Sequence, residues 1–428
     1  MAEQYHFECV DCKAAYPGDA VIYLCPACEA ANKPGEPPRG VLKTIYPYDS
    51  IRSKAAPKAL FEQLTGEGYL PLLPLRSMDS WPSLKVGETP LYRFDRFDVI
   101  DKMKVPGQSS SIESGVPRFE CYLKDDSQNP TFSFKDRASA LVSAWAREHG
   151  ITTLIAASTG NAGSSLAGIC ASQQQQAMIV VPAAAPLAKL TQILMYGALL
   201  IPVKGTYDDA FALSVQISKK HGYYNRNTAY NPLTIEGKKT VSFEIFRQLN
   251  SKVPDRIFIP VGDGVIYAGV CKGFEDLLKL GIIDRMPELV AVQAEGSSNF
   301  IRNRHKNSFT IRPSKTIADS ISVDVPQCFH MASAFMDEYH GTVVSVTDEE
   351  ILQASLQLSR STGIFSEPAA VAAFAGMLKF RSTGLIPAGS TSVVLLTGSG
   401  LKDLRAVQSS IRIPEPIEPN VASAEKLI

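Results

Sequence analysis

From Phe119 onward the chain alternates short apolar runs with longer amphipathic stretches, and this alternation restricts the fold more than any other feature. Phe119 to Lys124, Thr153 to Ala157, Ala177 to Val181, Leu199 to Val203, Arg256 to Pro260, Leu289 to Ala294 and Ser392 to Leu396 read as buried strands. Phe134 to His149 and Asn161 to Ser172 read as helices between them. Strands without a polar face, separated by helices, imply parallel sheets covered on both sides, an α/β architecture. At 428 residues the chain exceeds the usual size of one core, so two lobes and a small appendage are expected. The expected divisions are a cysteine-rich segment 1–44, docking segments with the first part of the large lobe 45–128, a smaller lobe 129–235, a larger lobe 236–412 and a tail 413–428.

The first segment holds four cysteines among turn formers, as Cys9-x-x-Cys12 and Cys25-x-x-Cys28. It is too small for a core of its own, and a metal usually replaces the missing burial in such a piece. Two such knuckles suit tetrahedral thiolate ligation of a structural zinc, although the twelve residues between them are a short spacing. A degenerate ribbon with reduced cysteines and no metal is the alternative. With zinc present, chelation is expected to loosen the N-terminus alone. Cys121, Cys170, Cys271 and Cys328 lie in apolar surroundings and read as core packing.

Lys plus Arg equals Asp plus Glu at 43 each with no long like-charge block, which argues against a nucleic acid or membrane surface as partner. The N-terminus has no basic segment followed by an apolar run, and the most apolar stretch, Ala177 to Ala188, is broken by Pro182 and Pro186. A cytoplasmic enzyme of small molecules is therefore expected. Gly107 to Ser111 reads as an exposed loop, and the chain after Arg412 as a surface strap or loose end.

In open α/β sheets ligands bind outside the carboxyl ends of the strands, in loops that precede helices. The distinctive motifs of this chain all lie there. In Asn129-Pro-Thr-Phe-Ser-Phe-Lys135-Asp-Arg137, Lys135 falls in a first helical turn, where the macrodipole disfavours a cation, and Phe132 and Phe134 would partly desolvate it. A neutral amine of this kind attacks aldehydes to form an imine; an ordinary solvated lysine at a helix start is the plainer reading. Ala157-Ser158-Thr159-Gly160-Asn161-Ala-Gly163 offers bare amides and two hydroxyls to a carboxylate or phosphate, or is an ordinary helix cap. Val261-Gly262-Asp263-Gly264-Val265 and Thr397-Gly-Ser-Gly-Leu-Lys-Asp403 repeat the arrangement.

Together with Tyr207-Asp-Asp-Ala210, Glu236-Gly-Lys-Lys-Thr240 and Val292-Gln-Ala-Glu-Gly296, these motifs resemble the threonine synthase family, within the fold type II enzymes of pyridoxal phosphate. The likeness runs through most of residues 80 to 405, and a cysteine ribbon also occurs in some branches of that family. It implies a two-lobed fold with a Schiff-base lysine, Lys135, which also shuttles protons. It further implies Asn161 at the cofactor's phenolic oxygen, Gly262, Asp263, Gly264 and Val265 around its phosphate, and Thr397 at its pyridine nitrogen. Ser158 and Thr159 would bind the substrate carboxylate. The implied reaction converts O-phosphohomoserine and water to threonine and phosphate, in a lyase of amino-acid biosynthesis whose oligomeric state, a homodimer included, stays open.

Three positions depart from that pattern. Threonine synthases commonly carry arginine where this chain has Thr234, glutamine where it has Lys238, and a glycine- and asparagine-rich loop where Asp263 stands. A carboxylate about 5 Å from one negative charge costs roughly 3 kcal/mol at an effective dielectric of 20. If Asp263 and Thr234 face the leaving group, a phosphorylated substrate is expected to bind poorly unless Lys238 compensates. An elimination or β-replacement enzyme of an unphosphorylated hydroxy- or acyl-amino acid is then the alternative. A non-catalytic zinc-ribbon scaffold is the alternative of another class.

Overall fold

The computed structural model describes residues 4–103, 118–185, 187–411 and 413–426; the stretch 107–111 expected as a loop lies outside them. His6–Cys9 (β1), Ala15–Pro17 (β2) and Leu42–Ile45 (β3) form a small antiparallel sheet in the order β2-β1-β3. Two further sheets organise the rest. Leu91–Phe94 (β4) and Glu120–Asp125 (β5) enter one; Thr153–Ala157 (β6), Gln176–Pro182 (β7), Leu199–Val203 (β8) and Tyr224–Asn225 (β9) make the other, parallel throughout in the order β8-β7-β6-β9. Arg256–Pro260 (β10), Glu288–Ala294 (β11), Thr342–Val346 (β12) and Thr391–Leu396 (β13) complete the first as β12-β11-β10-β13-β5-β4. Only β4 runs antiparallel in it, at the edge.

The apolar runs behave as strands covered on both faces should, except β8, expected as buried, whose place at the sheet edge leaves Leu199 and Pro202 exposed. Ile257, Phe258 and Ile259 of β10 have no exposed surface, so neither face of that strand meets water. Six helices shape the cleft and its surroundings: Lys135–Glu148 (α1), Asn161–Ser172 (α2), Tyr207–His221 (α3), Leu233–Gln248 (α4), Val265–Lys279 (α5) and Pro368–Ser382 (α6). The alanine-rich α6 lies flat on the large sheet because Gly376 leaves room for Val292, whose side chain an added Cβ would meet at 2.7 Å. Close packing of the same kind joins α1, α4 and α5. A Cβ on Gly237 would stand 2.8 Å from the Cα of Ala138, and one on Gly269 would stand 2.7 Å from the Cβ of Lys238. These contacts set the starts of α1 and α5 against the second turn of α4.

The cysteine segment, too small for a core of its own, shares one continuous apolar core with the lobes. Trp145 of α1 donates its indole N–H to the Tyr5 hydroxyl at 3.0 Å, Tyr46 donates to Glu236 of α4 at 2.6 Å, and Tyr48 donates to Asp276 of α5 at 2.6 Å. Lys43 pairs with Glu275 at 2.6 Å. Loss of metal here would disturb the helices beneath as well as the N-terminus. The chain from 413 to 426 is largely exposed and its one helical turn, Val421–Ala424, buries nothing, in keeping with a loose end. No described helix is long and apolar enough to cross a membrane.

Candidate active site

The loops after β5, β6, β9, β10 and β13 converge between the two parallel sheets. Antiparallel bridges join Ser133 to Gly398 and Ser366 to Ser399, and the Phe134 N–H donates to the Thr397 carbonyl at 2.8 Å. Thr397 is thereby fixed beside the lysine loop. Asp136 clamps that loop from below, accepting from the Thr131 N–H at 2.7 Å and the Thr131 hydroxyl at 2.5 Å. Phe132 is held at φ +68°, a left-handed conformation uncommon for a bulky residue and frequent at functional sites. Phe132 is 49 % exposed while Phe134 is fully buried, so the two aromatics beside the lysine do not share one environment.

Lys135 opens α1 and, among the described residues, its amine makes no ion pair. Burial pushes its pKa below the ordinary lysine value; Glu367 opposes this, Arg226 reinforces it, and Asp263 opposes it again. A lysine whose charge is disfavoured supplies the unprotonated amine of imine chemistry more readily than an ordinary one.

Arg226 is the residue that the sequence did not disclose. It follows the two-residue strand β9 and is 1 % exposed, yet its partners are the Ser139 hydroxyl at 3.1 Å and the Lys135 carbonyl at 3.4 Å. Burial lowers its pKa to about 10 against the pull of Asp136. Lys238, on the second turn of α4, is also fully buried, with the Thr228 hydroxyl at 3.4 Å as its partner. Burial drives its pKa well below 10.5, and Arg226 and Lys135 push it the same way. Asp263 faces Lys238 and Lys135, and burial raises its pKa while the Gln327 N–H, donated at 3.2 Å, and the two lysines lower it. Thr234 does not look into the cleft: its hydroxyl donates to the Asn231 carbonyl at 2.8 Å and accepts from the Ala229 N–H at 3.3 Å.

Asn161 begins α2 and gives its amide to both oxygens of Glu367, at 2.9 and 3.0 Å. Glu367 stands just before Pro368 at the start of α6 and reaches back over Gly398, where an added Cβ would be 2.7 Å from its carboxyl carbon. Sequence reasoning missed it; a carboxylate ahead of a proline at the start of a buried alanine helix was the available signal. The Ser158 hydroxyl accepts from the Gly160 N–H at 3.3 Å, and the space a Cβ on Gly160 would enter is open, leaving the start of α2 accessible beside Ser158 and Thr159.

These residues fit pyridoxal phosphate. Lys135, its charge disfavoured by burial, lies at the convergence of the loops, Gly264 takes φ +86° immediately before α5, and the Ser133 and Ser366 hydroxyls on either side of Thr397 to Ser399 are buried without partners. The start of a fifteen-residue helix at Val265 is the kind of terminus that receives a phosphate. Asp263 is the one member of the loop with the wrong charge, and two lysines face it.

The cysteines fit zinc equally well. The four sulfurs lie within 4.8 Å of one another, with Cys9 to Cys28 at 3.8 Å and Cys12 to Cys25 at 3.6 Å. A tetrahedron with metal–sulfur bonds of about 2.3 Å has edges of about 3.8 Å. One zinc per chain is expected by elemental analysis of protein purified without chelator, and metal-free protein with an intact ribbon would refute it.

The comparisons with known proteins agree with this geometry. The family model described as "Pyridoxal-phosphate dependent enzyme" matches residues 83–398. A threonine synthase of Methanocaldococcus jannaschii is 34% identical, over 95% of this chain and 96% of its own, and one of Methanosarcina acetivorans is 35% identical over 99% and 98%. Among solved structures, the processed form of threonine deaminase isoform 2 from Solanum lycopersicum superposes with a TM-score of 0.62 at 22% identity, covering 80% of this chain and 85% of that one. Diaminopropionate ammonia lyase from Escherichia coli superposes with a TM-score of 0.63 at 16% identity over 78% and 90%. With its lysine, glycine loop and two parallel sheets in these positions, the chain belongs to the fold type II family of pyridoxal-phosphate dependent enzymes.

Proposed function

We propose that the protein is a threonine synthase, converting O-phosphohomoserine and water to threonine and phosphate. The observation that carries this is the surplus of buried cations: Arg226 and Lys238 lie near Lys135 without a carboxylate in ion-pair contact, and Asp263 balances only part of that charge. Unpaired buried cations are unfavourable until an anion enters, and a phosphate monoester brings nearly two negative charges. The repulsion expected at Asp263 is offset by its two lysine neighbours. The arginine missing at Thr234 has a counterpart in Arg226.

Pyridoxal phosphate, when bound, supplies an electron sink that stabilises negative charge developing on the amino acid. Lys135 holds the cofactor, and its amine takes the proton first from Cα and then from Cβ of the substrate. Arg226, Lys238 and Thr228 meet the γ-phosphate as it leaves. Water then adds at Cβ, and Lys135 returns protons to Cγ and Cα. Ser158, Thr159 and the free amides of α2 orient the substrate carboxylate, and Glu367 fixes Asn161. Gly262, Gly264 and Val265 would cradle the cofactor phosphate, and the Thr397 hydroxyl would meet the pyridine nitrogen.

Steady-state kinetics with O-phosphohomoserine against serine, threonine and O-acetylserine test this reading. Threonine and phosphate formed in equal amounts, with the phosphorylated substrate preferred, are expected; preference for an unphosphorylated one refutes it. Arg226→Met is expected to raise KM for O-phosphohomoserine about 10- to 100-fold, the loss of one charge-assisted contact of roughly 1.5–3 kcal/mol. Lys238→Gln should act in the same direction. Binding an anion beside Lys238 raises its depressed pKa toward 10.5, so the complex takes up protons. Affinity for the phosphorylated substrate should therefore fall as pH rises through the folded-state value, while affinity for an unphosphorylated amino acid stays level.

A further inference from the structure

We infer that the cysteine segment is a working part of the active site, and that Tyr23 is the positioning residue through which it acts on the loop carrying Arg226. This rests on the reading of Arg226 as a partner of the substrate phosphate. Tyr23 precedes Cys25 by two residues, and the chain between is pinned by the Leu24 to Val41 bridge and by the Cys25 N–H donating to the Gly40 carbonyl at 2.8 Å. Its hydroxyl accepts the backbone N–H of Asn225 at 2.8 Å. Its ring stacks on Tyr230 with centroids 4.6 Å apart and planes at 16°, and lies 5.9 Å from Tyr224. Tyr23 thus touches both ends of the segment Tyr224 to Tyr230, with Arg226 and Thr228 between the contacts.

That segment has little regular structure to hold it. β9 pairs with β6 through two residues only, and Ala229 sits at φ +58°, a conformation alanine rarely adopts unaided. Within the loop, Asn227 donates its N–H to the Asn225 side chain at 2.8 Å, and Asn231 gives its amide to the Asn225 carbonyl at 2.8 Å. Asn225 is therefore the hub, and Tyr23 holds it from outside. If Asn225 shifts, the guanidinium one residue later shifts with it. A buried phosphate contact is sensitive to displacements of a fraction of an ångström, whereas Lys135 and the cofactor loop belong to other elements.

The test uses the full-length, cofactor-loaded protein with Tyr23→Phe, Tyr23→Ala and Tyr5→Phe. The last is the control: it also leaves a buried donor unpaired beneath the segment, the indole N–H of Trp145, whose ring stacks on Tyr224 at 4.8 Å but makes no hydrogen bond to the loop. Tyr23→Phe is expected to raise KM for O-phosphohomoserine and weaken inorganic phosphate binding about five- to tenfold, with kcat within about twofold and the cofactor absorption unchanged. Tyr23→Ala should do more. Tyr5→Phe should lower Tm and leave both affinities unchanged. Hydrogen exchange of residues 225–231 should quicken in Tyr23→Phe and not in Tyr5→Phe. Equal effects of Tyr23→Phe and Tyr5→Phe on every readout, or unchanged exchange of 225–231, would overturn the positioning role whatever the substrate is. Failure of the unmodified chain to use O-phosphohomoserine or bind phosphate would instead overturn the substrate reading, and faster exchange of the loop would still support Tyr23 as its anchor.

Discussion

Lys135→Ala is expected to lower kcat by at least about 10⁴-fold, because in the proposed reaction one amine both anchors the cofactor and moves the protons of every step. The fold should survive. The amine makes no ion pair among the described residues and burial already disfavours its charge, so its removal takes away little native stabilisation. The purified variant should also lose the visible chromophore that borohydride reduces in the unmodified enzyme. Turnover within tenfold of the unmodified chain on any amino acid would show that another residue does this work.

Glu244→Leu is expected to destabilise the protein by about 3–5 kcal/mol, since it leaves two buried cations short of a partner. One carboxylate serves both of them: Glu244 accepts from Arg137 at 2.5 and 2.9 Å and from Lys124 at 2.7 Å. Arg137 keeps Asp126 at 2.6 Å, but Lys124 keeps only the Thr89 carbonyl and the Gln248 side chain. The network ties α1 to α4, and so Lys135 to Lys238, which means that the variant should lose activity as well as stability. Urea unfolding followed by far-ultraviolet circular dichroism measures the change, and an effect below 1 kcal/mol would mean that water replaces the carboxylate. The double variant Lys124→Met and Glu244→Leu should recover much of the loss, because Arg137 stays paired with Asp126 and no charge then remains buried alone.

Acid should act on the same network in a defined window. Burial pushes the Glu244 carboxyl up, but Arg137 and Lys124 outweigh burial and hold it well below the usual carboxylate range. A carboxyl depressed in the folded state contributes stability above its unfolded pKa of about 4.3, and that stability is lost as pH falls toward the folded value. The contribution should be flat from pH 7 to about pH 5 and decline progressively below about pH 4, a loss absent from the Glu244→Leu protein.

Much of the architecture was legible from local pattern. The strand Thr153–Ala157 and the helix Asn161–Ser172 match their expected bounds, as does the fully buried Arg256–Pro260, because apolar runs carry their signal in a few adjacent residues; Leu199–Val203 matches in bounds although it is not buried. Strands without such runs escaped: β4 is half exposed at the edge, β12 is only partly buried, and β9 has two residues. The place of Lys135 at a helix start and the two cysteine knuckles were equally legible, since each is defined by residues close in sequence.

What no local pattern could supply was the company those residues keep. Arg226 reads in sequence as one more surface arginine after a short strand, and Glu367 as an ordinary helix start. Thr234 read as a gap in the anion site, whereas the fold turns its hydroxyl inward and brings a guanidinium from eight positions earlier. These outcomes depend on three helices meeting through Gly237 and Gly269, and on a ribbon whose tyrosines reach three helices and a strand. The sequence by itself determined most strands of the two larger sheets, the place of Lys135 at a helix start and the pairing of cysteines in two knuckles, because periodicity and short spacing act within one segment. Only the tertiary structure decided which charges face one another, because electrostatic character is set by burial and by neighbours from distant parts of the chain.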